Sequence, residues 1–362
     1  MVAGLPLTAV DITVTTQAPL SALGIALSTV ATVSDALTPE FHGGRVSFAA
    51  TVGAEQLSYV QAIVIGALQG ITELFPVSSL GHSVLVPALV GGSWKDLVTQ
   101  GTDAQSPYLS FIVALHVATA LALLCFYWRD WVRIVGGFIS SIRKRSIDTP
   151  YEKLAWLIII ATIPAGIIGL ALEHALRSVF AKPEFAAIFL TINGLILFLG
   201  EWLRRRSVAR SAALTGEKVP AHQLEDDGDG EAQDLAIINA ITRRDAGFIG
   251  VLQSAALLAG ISRSGITMVA GLVRGLDHEL SVRFAFLLAT PIILAAGVYK
   301  LPSLAGQEGA GIHGQILAGS VAAFLAALVS IVFLTRWFKT RTLTPFAVYC
   351  VAMGLFCTVY FA

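Results

Sequence analysis

Six stretches of the chain stay apolar for the ~20 residues that a helix needs to cross a hydrocarbon core. They run roughly over 108–128, 154–173, 184–203, 282–300, 314–335 and 343–361. Two further apolar stretches, 57–90 and 247–274, are interrupted midway by small, polar and helix-breaking residues. The first interruption is Pro76-Val77-Ser78-Ser79-Leu80-Gly81-His82, the second Ala259-Gly260-Ile261-Ser262-Arg263-Ser264-Gly265. Irregular backbone at membrane depth is tolerated only where protein or a polar cavity satisfies it. Each interrupted stretch is therefore predicted to be a re-entrant pair of half-helices with a polar tip. The pattern predicts an all-α polytopic membrane protein of six transmembrane helices and two re-entrant helix pairs.

Basic residues orient this arrangement. The connections 129–153, 204–246 and 336–341, with Arg274 and Arg283 beside another, hold eighteen lysines and arginines. The alternate connections hold Lys95, Arg177, Lys182 and Lys300. The basic set is predicted to be cytoplasmic, which places the C-terminus outside. One pair then enters from outside and the other from the cytoplasm, each followed by three crossings, so the two halves form inverted-topology repeats. The sequence supports this separately: Gly66-Ala67-Leu68-Gln69 matches Gly250-Val251-Leu252-Gln253, and the same offset aligns Ser78 with Ser262 and Gly81 with Gly265. The predicted divisions are an N-terminal extension over 1–52, a first repeat over 53–203, a cytoplasmic loop over 204–246 and a second repeat over 247–362. In such folds the two tips meet near the midplane.

Composition excludes the alternatives. Only 13% of residues are charged and the mean hydropathy is +0.75, whereas soluble domains carry about 25% charged residues. Net charge is zero, so no nucleic-acid partner is implied. Cys125, Cys350 and Cys357 all lie in apolar runs and read as small buried hydrophobes. The extension lacks a basic segment before its mildly apolar stretch, unlike a signal peptide, and is read as poorly structured or weakly membrane-associated. The acidic run Glu225–Glu231 has Ala236 at the twelfth position, where a calcium loop needs a bidentate acid, so it is read as a solvated loop.

The candidate chemistry sits at the two tips. Gln69 and Glu73 are four apart and share a helix face, and an intramembrane acid marks a functional site by default. Glu73 suits cation binding or proton handling, or it pins the helix pair by hydrogen bonds. Ser78, Ser79 and His82 place hydroxyls near an imidazole, the arrangement that activates a nucleophile. His82 is equally suited to attack or to protonate a leaving phosphate. Arg263, flanked by Ser262 and Ser264, is costly at membrane depth without an anionic partner. Guanidinium matches phosphate oxygens in bidentate fashion, and the amides of Ile266 and Thr267 at a helix start would add to an anion site. An ion pair between Arg263 and Glu73 is the other reading. His116, inside a crossing, is read as a hydrogen-bonded helix contact, and Asp277-His278-Glu279 as a solvated turn or cap.

The run from Gln69 to His82 resembles the first signature of the undecaprenyl-diphosphate phosphatases, also known as bacitracin-resistance proteins. The run Gly260-Ile261-Ser262-Arg263-Ser264-Gly265-Ile266-Thr267 resembles their second. The resemblance covers about residues 55–362. It implies hydrolysis of undecaprenyl diphosphate to undecaprenyl phosphate and inorganic phosphate, which recycles the lipid carrier of cell-wall synthesis in the bacterial cell membrane. Gln69 and Glu73 match the family's Glu/Gln-x-x-x-Glu pair, with Glu73 supporting metal or proton chemistry. Ser79 and His82 match the candidates for nucleophile and its partner, Arg263 the arginine that holds the pyrophosphate, and Ser262, Ser264 and Thr267 its neighbouring hydroxyls. A divalent cation, Mg or Ca, is implied, with a polyprenyl diphosphate lipid as partner. The chain departs from many members at Ala259 (Pro there), at Leu80 (Thr or Ser there) and at Gln69, the neutral option. A lipid transporter or flippase is the rival reading, since broken helices in inverted repeats also build transporters. Oligomeric state stays open, a homodimer among the options.

Overall fold

A computed structural model describes residues 37–42, 45–50, 57–100, 107–180, 182–215, 230–305 and 311–362. The chain divides into two units, Met1–Gln56 and Leu57–Ala362. In the first, strands β1 (Leu37–His42) and β2 (Arg45–Ala50) pair antiparallel, with Leu37 opposite Ala50 and His42 opposite Arg45. An extension read as poorly structured thus contains a hairpin; the rest of 1–52 lies outside the described residues.

The second unit is helical. Its first half holds α1 (Tyr59–Thr72), α2 (Ser79–Val90), α3 (Ser93–Gln100), α4 (Pro107–Phe126), α5 (Trp128–Lys144), α6 (Pro150–Phe180) and α7 (Pro183–Thr215). Then follow α8 (Gly230–Ala240), α9 (Arg243–Gln253), α10 (Arg263–Val273), α11 (His278–Ala305), α12 (His313–Trp337) and α13 (Thr344–Phe361). Among the described residues, five helices are long and apolar enough to cross a membrane, and α4 with α5 makes a sixth candidate bent by 89° at the join. The six apolar stretches read from the sequence coincide with α4, α6, α7, α11, α12 and α13. The interrupted stretches coincide with α1–α2 and α9–α10, short apolar helices on either side of a break. The second unit is all-α and polytopic.

Local chemistry starts these helices. Ser58 and Gln61 form a capping box at α1, and Thr242 and Asp245 form one at α9, each satisfying orphan amides of a first turn. Packing then crosses between the halves: α1 lies along α12, α9 along α6, and α7 against α13. A side chain at Gly66 would strike the backbone of Gly319, and one at Gly250 the Ala161 carbonyl. The matched glycines of the two broken stretches therefore serve the same close helix approach.

Two connections differ from their sequence reading. Residues 129–153 are not a plain basic connection, because α5 fills most of it. Trp128, Val132, Val135, Ile139 and Ile142, at helical spacing, form an exposed apolar stripe, while Ile134 and Ser141 are buried against the protein. Within 204–246, α7 continues to Thr215, and α8 packs on α6 and α11 with Asp234 and Ile237 buried. The Glu225–Asp229 part of the acidic run lies outside the described residues. Cys350 and Cys357 are buried as expected, but Cys125 is exposed.

Candidate active site

The two breaks meet and share one backbone design. In each, a serine caps the second half-helix: Ser78 Oγ accepts the Gly81 amide at 3.2 Å, and Ser262 Oγ accepts the Gly265 amide at 3.1 Å. Ser78 Oγ also accepts the Gly260 amide from the other break at 3.1 Å. Gly260 has φ 108, and a side chain there would strike the Ala186 carbonyl, so a glycine is required. Asn193 of α7, fully buried, ties both breaks: its Nδ2 donates to the Pro76 carbonyl at 3.0 Å and its Oδ1 accepts the Ser262 amide at 2.9 Å. Ser264 Oγ donates to the Phe75 carbonyl at 3.1 Å. Polar backbone at the breaks is thereby satisfied by protein.

Glu73 follows the last turn of α1 and is 9% exposed. Its Oε1 pairs with the Arg263 guanidinium. Its Oε2 accepts the Ser79 hydroxyl and, at 3.1 Å, the Gln69 amide, and lies 3.3 Å from His116 Nε2. A carboxylate with this many partners is held at one position by groups from α1, α2, α4 and α10. Glu73, Ser79, His116 and Arg263 share the wall of a cavity of about 250 Å³ with Ser78, Ser262 and Gln253. The remaining wall is largely apolar, with Val113, Leu257, Ile261, Ile292 and Ile293.

The structure thus brings Glu73, Ser79 and Arg263 together, with Gln69 behind the carboxylate. It does not pair Ser79 with His82. His82 Nδ1 meets the Ser78 carbonyl at 2.7 Å, its Nε2 meets the Tyr349 hydroxyl at 2.7 Å, and its ring stacks on Tyr349. His82 is not on the cavity wall, nor are Ser264 and Thr267, which are buried. The Ile266 amide bonds to the Ser262 carbonyl at 2.9 Å within the helix, so it is not directed at an anion. His116 joins the site although its place in a crossing suggested only a helix contact; it makes that contact too, through Nδ1 to the Ile112 carbonyl at 2.8 Å. Asn193 and Gln253 were also missed as site residues. A polar residue inside an otherwise apolar run is their shared sequence signal. Of the Asp277-His278-Glu279 run, read as a solvated turn or helix cap, Asp277 does cap α11 through the Leu280 amide, whereas His278 is buried and meets Glu201 at 2.8 Å.

For a cation, the described residues contain no cluster of three or more His, Cys, Asp or Glu side chains. The cavity wall offers one carboxylate, Glu73. That fits the sparser habit of magnesium, which uses one or two carboxylates together with substrate phosphates.

Fold and site together define a multi-pass membrane protein in which a half-buried arginine meets a buried carboxylate and serine beside an apolar cavity. The family model described as Bacitracin resistance protein BacA matches residues 62–356, and the chain belongs to this family. It is a multi-pass bacterial membrane protein. It is 54% identical over 339 residues to Undecaprenyl-diphosphatase 2 of Frankia alni, covering 85% of this chain and 99% of that one. It is 59% identical over 298 residues to Undecaprenyl-diphosphatase of Mycolicibacterium paratuberculosis (82% and 95% covered). With Undecaprenyl-diphosphatase of Granulibacter bethesdensis the identity is 41% over 305 residues (83% and 96% covered).

Proposed function

We propose that this protein is an integral membrane phosphatase that hydrolyses undecaprenyl diphosphate to undecaprenyl phosphate and inorganic phosphate. The observation that carries the reading is the Ser79–Glu73–Arg263 chain on the wall of a cavity whose other wall is apolar. A polyprenyl diphosphate has the matching character, an anionic head on an apolar chain. Its similarity to the undecaprenyl-diphosphatases named above supports the same substrate.

The chemistry follows from the contacts. Arg263 exchanges Glu73 for the diphosphate oxygens, whose charge it neutralises, the main service a protein gives to phosphoryl transfer. Ser79 Oγ attacks the terminal phosphorus and its proton passes to Glu73, the base it already touches. The bond from that phosphorus to the bridging oxygen breaks, undecaprenyl phosphate departs, and Glu73 returns the proton to the departing phosphate. Water then attacks the phosphoserine with Glu73 taking its proton, inorganic phosphate leaves, and the proton returns to Ser79 Oγ. His82 supports the tip from behind through the Ser78 carbonyl. A magnesium ion, when bound, would be held by Glu73 and would supply further charge neutralisation at the phosphates.

Inverted-topology repeats are part of this reading. Their support is the reciprocal packing of α1 on α12 and α9 on α6, together with the matched serine caps. By the distribution of basic residues the C-terminus lies outside. A transporter would share this architecture, but it has no use for a serine hydroxyl bonded to a buried carboxylate.

The test is phosphate release from undecaprenyl diphosphate by detergent-purified protein, with and without EDTA, for the parent and for His82→Ala and Ser79→Ala. Release by the parent, suppressed by EDTA and by Ser79→Ala, is expected, with His82→Ala retaining part of it. No release from folded protein that still binds the lipid would refute the phosphatase reading and leave a carrier.

A further inference from the structure

Gln253 ends α9, and its side chain is 3% exposed. Its Nε2 donates to the Ala161 carbonyl at 2.5 Å, which fixes the amide's orientation, because a flipped amide would set two oxygens against each other. The other end of the amide, Oε1, is buried and has no hydrogen-bond partner among the described residues. Gln253 lies on the wall of the cavity that also holds Glu73, Ser79 and Arg263. Leaving a buried acceptor unpaired is costly, and an arrangement that retains one beside a cavity anticipates a donor from a ligand. An anionic phosphate oxygen cannot be that donor. An O–H group can.

We infer that Gln253 contacts the ligand in this cavity, its Oε1 accepting a hydrogen bond from an O–H at the reacting phosphoryl group. Two sources carry that O–H: the P–OH of a protonated phosphate, or the water that attacks phosphorus. The inference rests on the phosphatase reading above and adds to it a second residue of the second broken stretch, beside Arg263.

The experiment compares the parent with Gln253→Leu and Gln253→Glu, purified in detergent. It measures kcat and KM for undecaprenyl diphosphate, the dissociation constant for inorganic phosphate, and Tm. An O–H on the phosphate predicts that Gln253→Leu weakens inorganic phosphate and raises KM, each by about ten-fold or more, the size of a hydrogen bond to a charged ligand. An O–H on the attacking water predicts a similar loss in kcat with phosphate affinity unchanged. Gln253→Glu keeps the shape but adds a negative charge beside the phosphate, and is expected to weaken phosphate binding further than Gln253→Leu. A role confined to the Ala161 hydrogen bond lowers Tm while leaving kcat, KM and phosphate affinity within two-fold, and that result in either variant overturns the inference. Should Gln253→Leu not fold, Gln253→Glu decides by the same readings, and a failure of both to fold assigns Gln253 to structure alone and also overturns it. A parent that releases no phosphate from the lipid defeats the phosphatase reading instead, while phosphate binding by parent and variants still decides the Gln253 contact.

Discussion

Two arginines inside the helical bundle are compensated in different ways. Arg283 on α11 has a side chain 7% exposed, lies 3.2 Å from Asp130 and 3.0 Å from Asp234, and sits over the Tyr127 ring. Arg263 on α10 is 21% exposed, and its ion-pair partner among the described residues is the single carboxylate of Glu73, beside a cavity. Two acids and an aromatic face close the account of Arg283. They also join the α4–α5 corner, α8 and α11, so this arginine is a structural clamp. Arg263 shares its one acid with Ser79, Gln69 and His116, and a second anion arriving through the cavity would meet a guanidinium with donors to spare. The difference separates a charge buried for architecture from a charge kept for a ligand.

Removing the two side chains should separate these roles most sharply. Arg263→Ala is expected to lower turnover by about a thousand-fold or more, the scale on which arginine acts in phosphoryl transfer. It also leaves Glu73 uncompensated, so Tm falls; adding Glu73→Gln should restore Tm without restoring turnover. Near-normal activity in purified Arg263→Ala would break the comparison. Arg283→Ala is expected to cost about 3–5 kcal/mol of stability by stranding the buried carboxylate of Asp234 and the half-buried one of Asp130, with kcat per folded molecule close to the parent value.

The two serines of the first break give the next contrast. Ser79→Ala removes the hydroxyl on Glu73, and turnover should fall by about a hundred-fold or more at unchanged Tm. Ser78→Ala removes a cap, at about 1 kcal/mol of stability, and strands the Gly260 amide, at about 1–3 kcal/mol more, with a smaller fall in rate. Equal effects of the two on rate would mean that the hydroxyl of Ser79 is not the reacting group. Asn193→Ala strands the Ser262 amide, for about 1–3 kcal/mol, leaves the Pro76 carbonyl with the weak Cys350 thiol donor, and should lower Tm and kcat together because both tips lose their common anchor.

Asp245 offers the smallest effect. Burial pushes its carboxyl up, but the Thr242 hydroxyl and amide and the Arg274 guanidinium outweigh this and hold it below the ordinary carboxylate value. A depressed acid contributes stability that is present above the unfolded value and is lost as pH falls through the folded one. Asp245→Asn should therefore lower stability near neutral pH by about 1 kcal/mol, as for other caps, read as a fall in Tm. The gap to the parent should close as pH drops below about 4.

The sequence by itself determined the elements and most of the chemistry at the breaks. Six apolar stretches became six long helices because an apolar run of that length has one good way to satisfy its backbone in lipid. Ser78 and Ser262 ended the irregular backbone where a hydroxyl three residues ahead of a glycine amide caps a helix, which is a local hydrogen bond. Glu73 and Arg263 stood out because a charge in an apolar run is too costly to be idle. Tertiary structure decided which of these groups meet. The packing of α1 against α4 brought His116 to Glu73, and the packing of α2 near α13 turned His82 toward Tyr349 and away from Ser79. The seating of α9 on α6 used the Gln253 amide hydrogen and left its oxygen without a partner among the described residues. The α4–α5 corner and α8 were settled by Arg283, whose partners come from segments far apart in the chain. Caps and helices depend on neighbours within a turn or two, whereas a site depends on which faces of separate helices are buried together, and spacing along one chain segment does not contain that information.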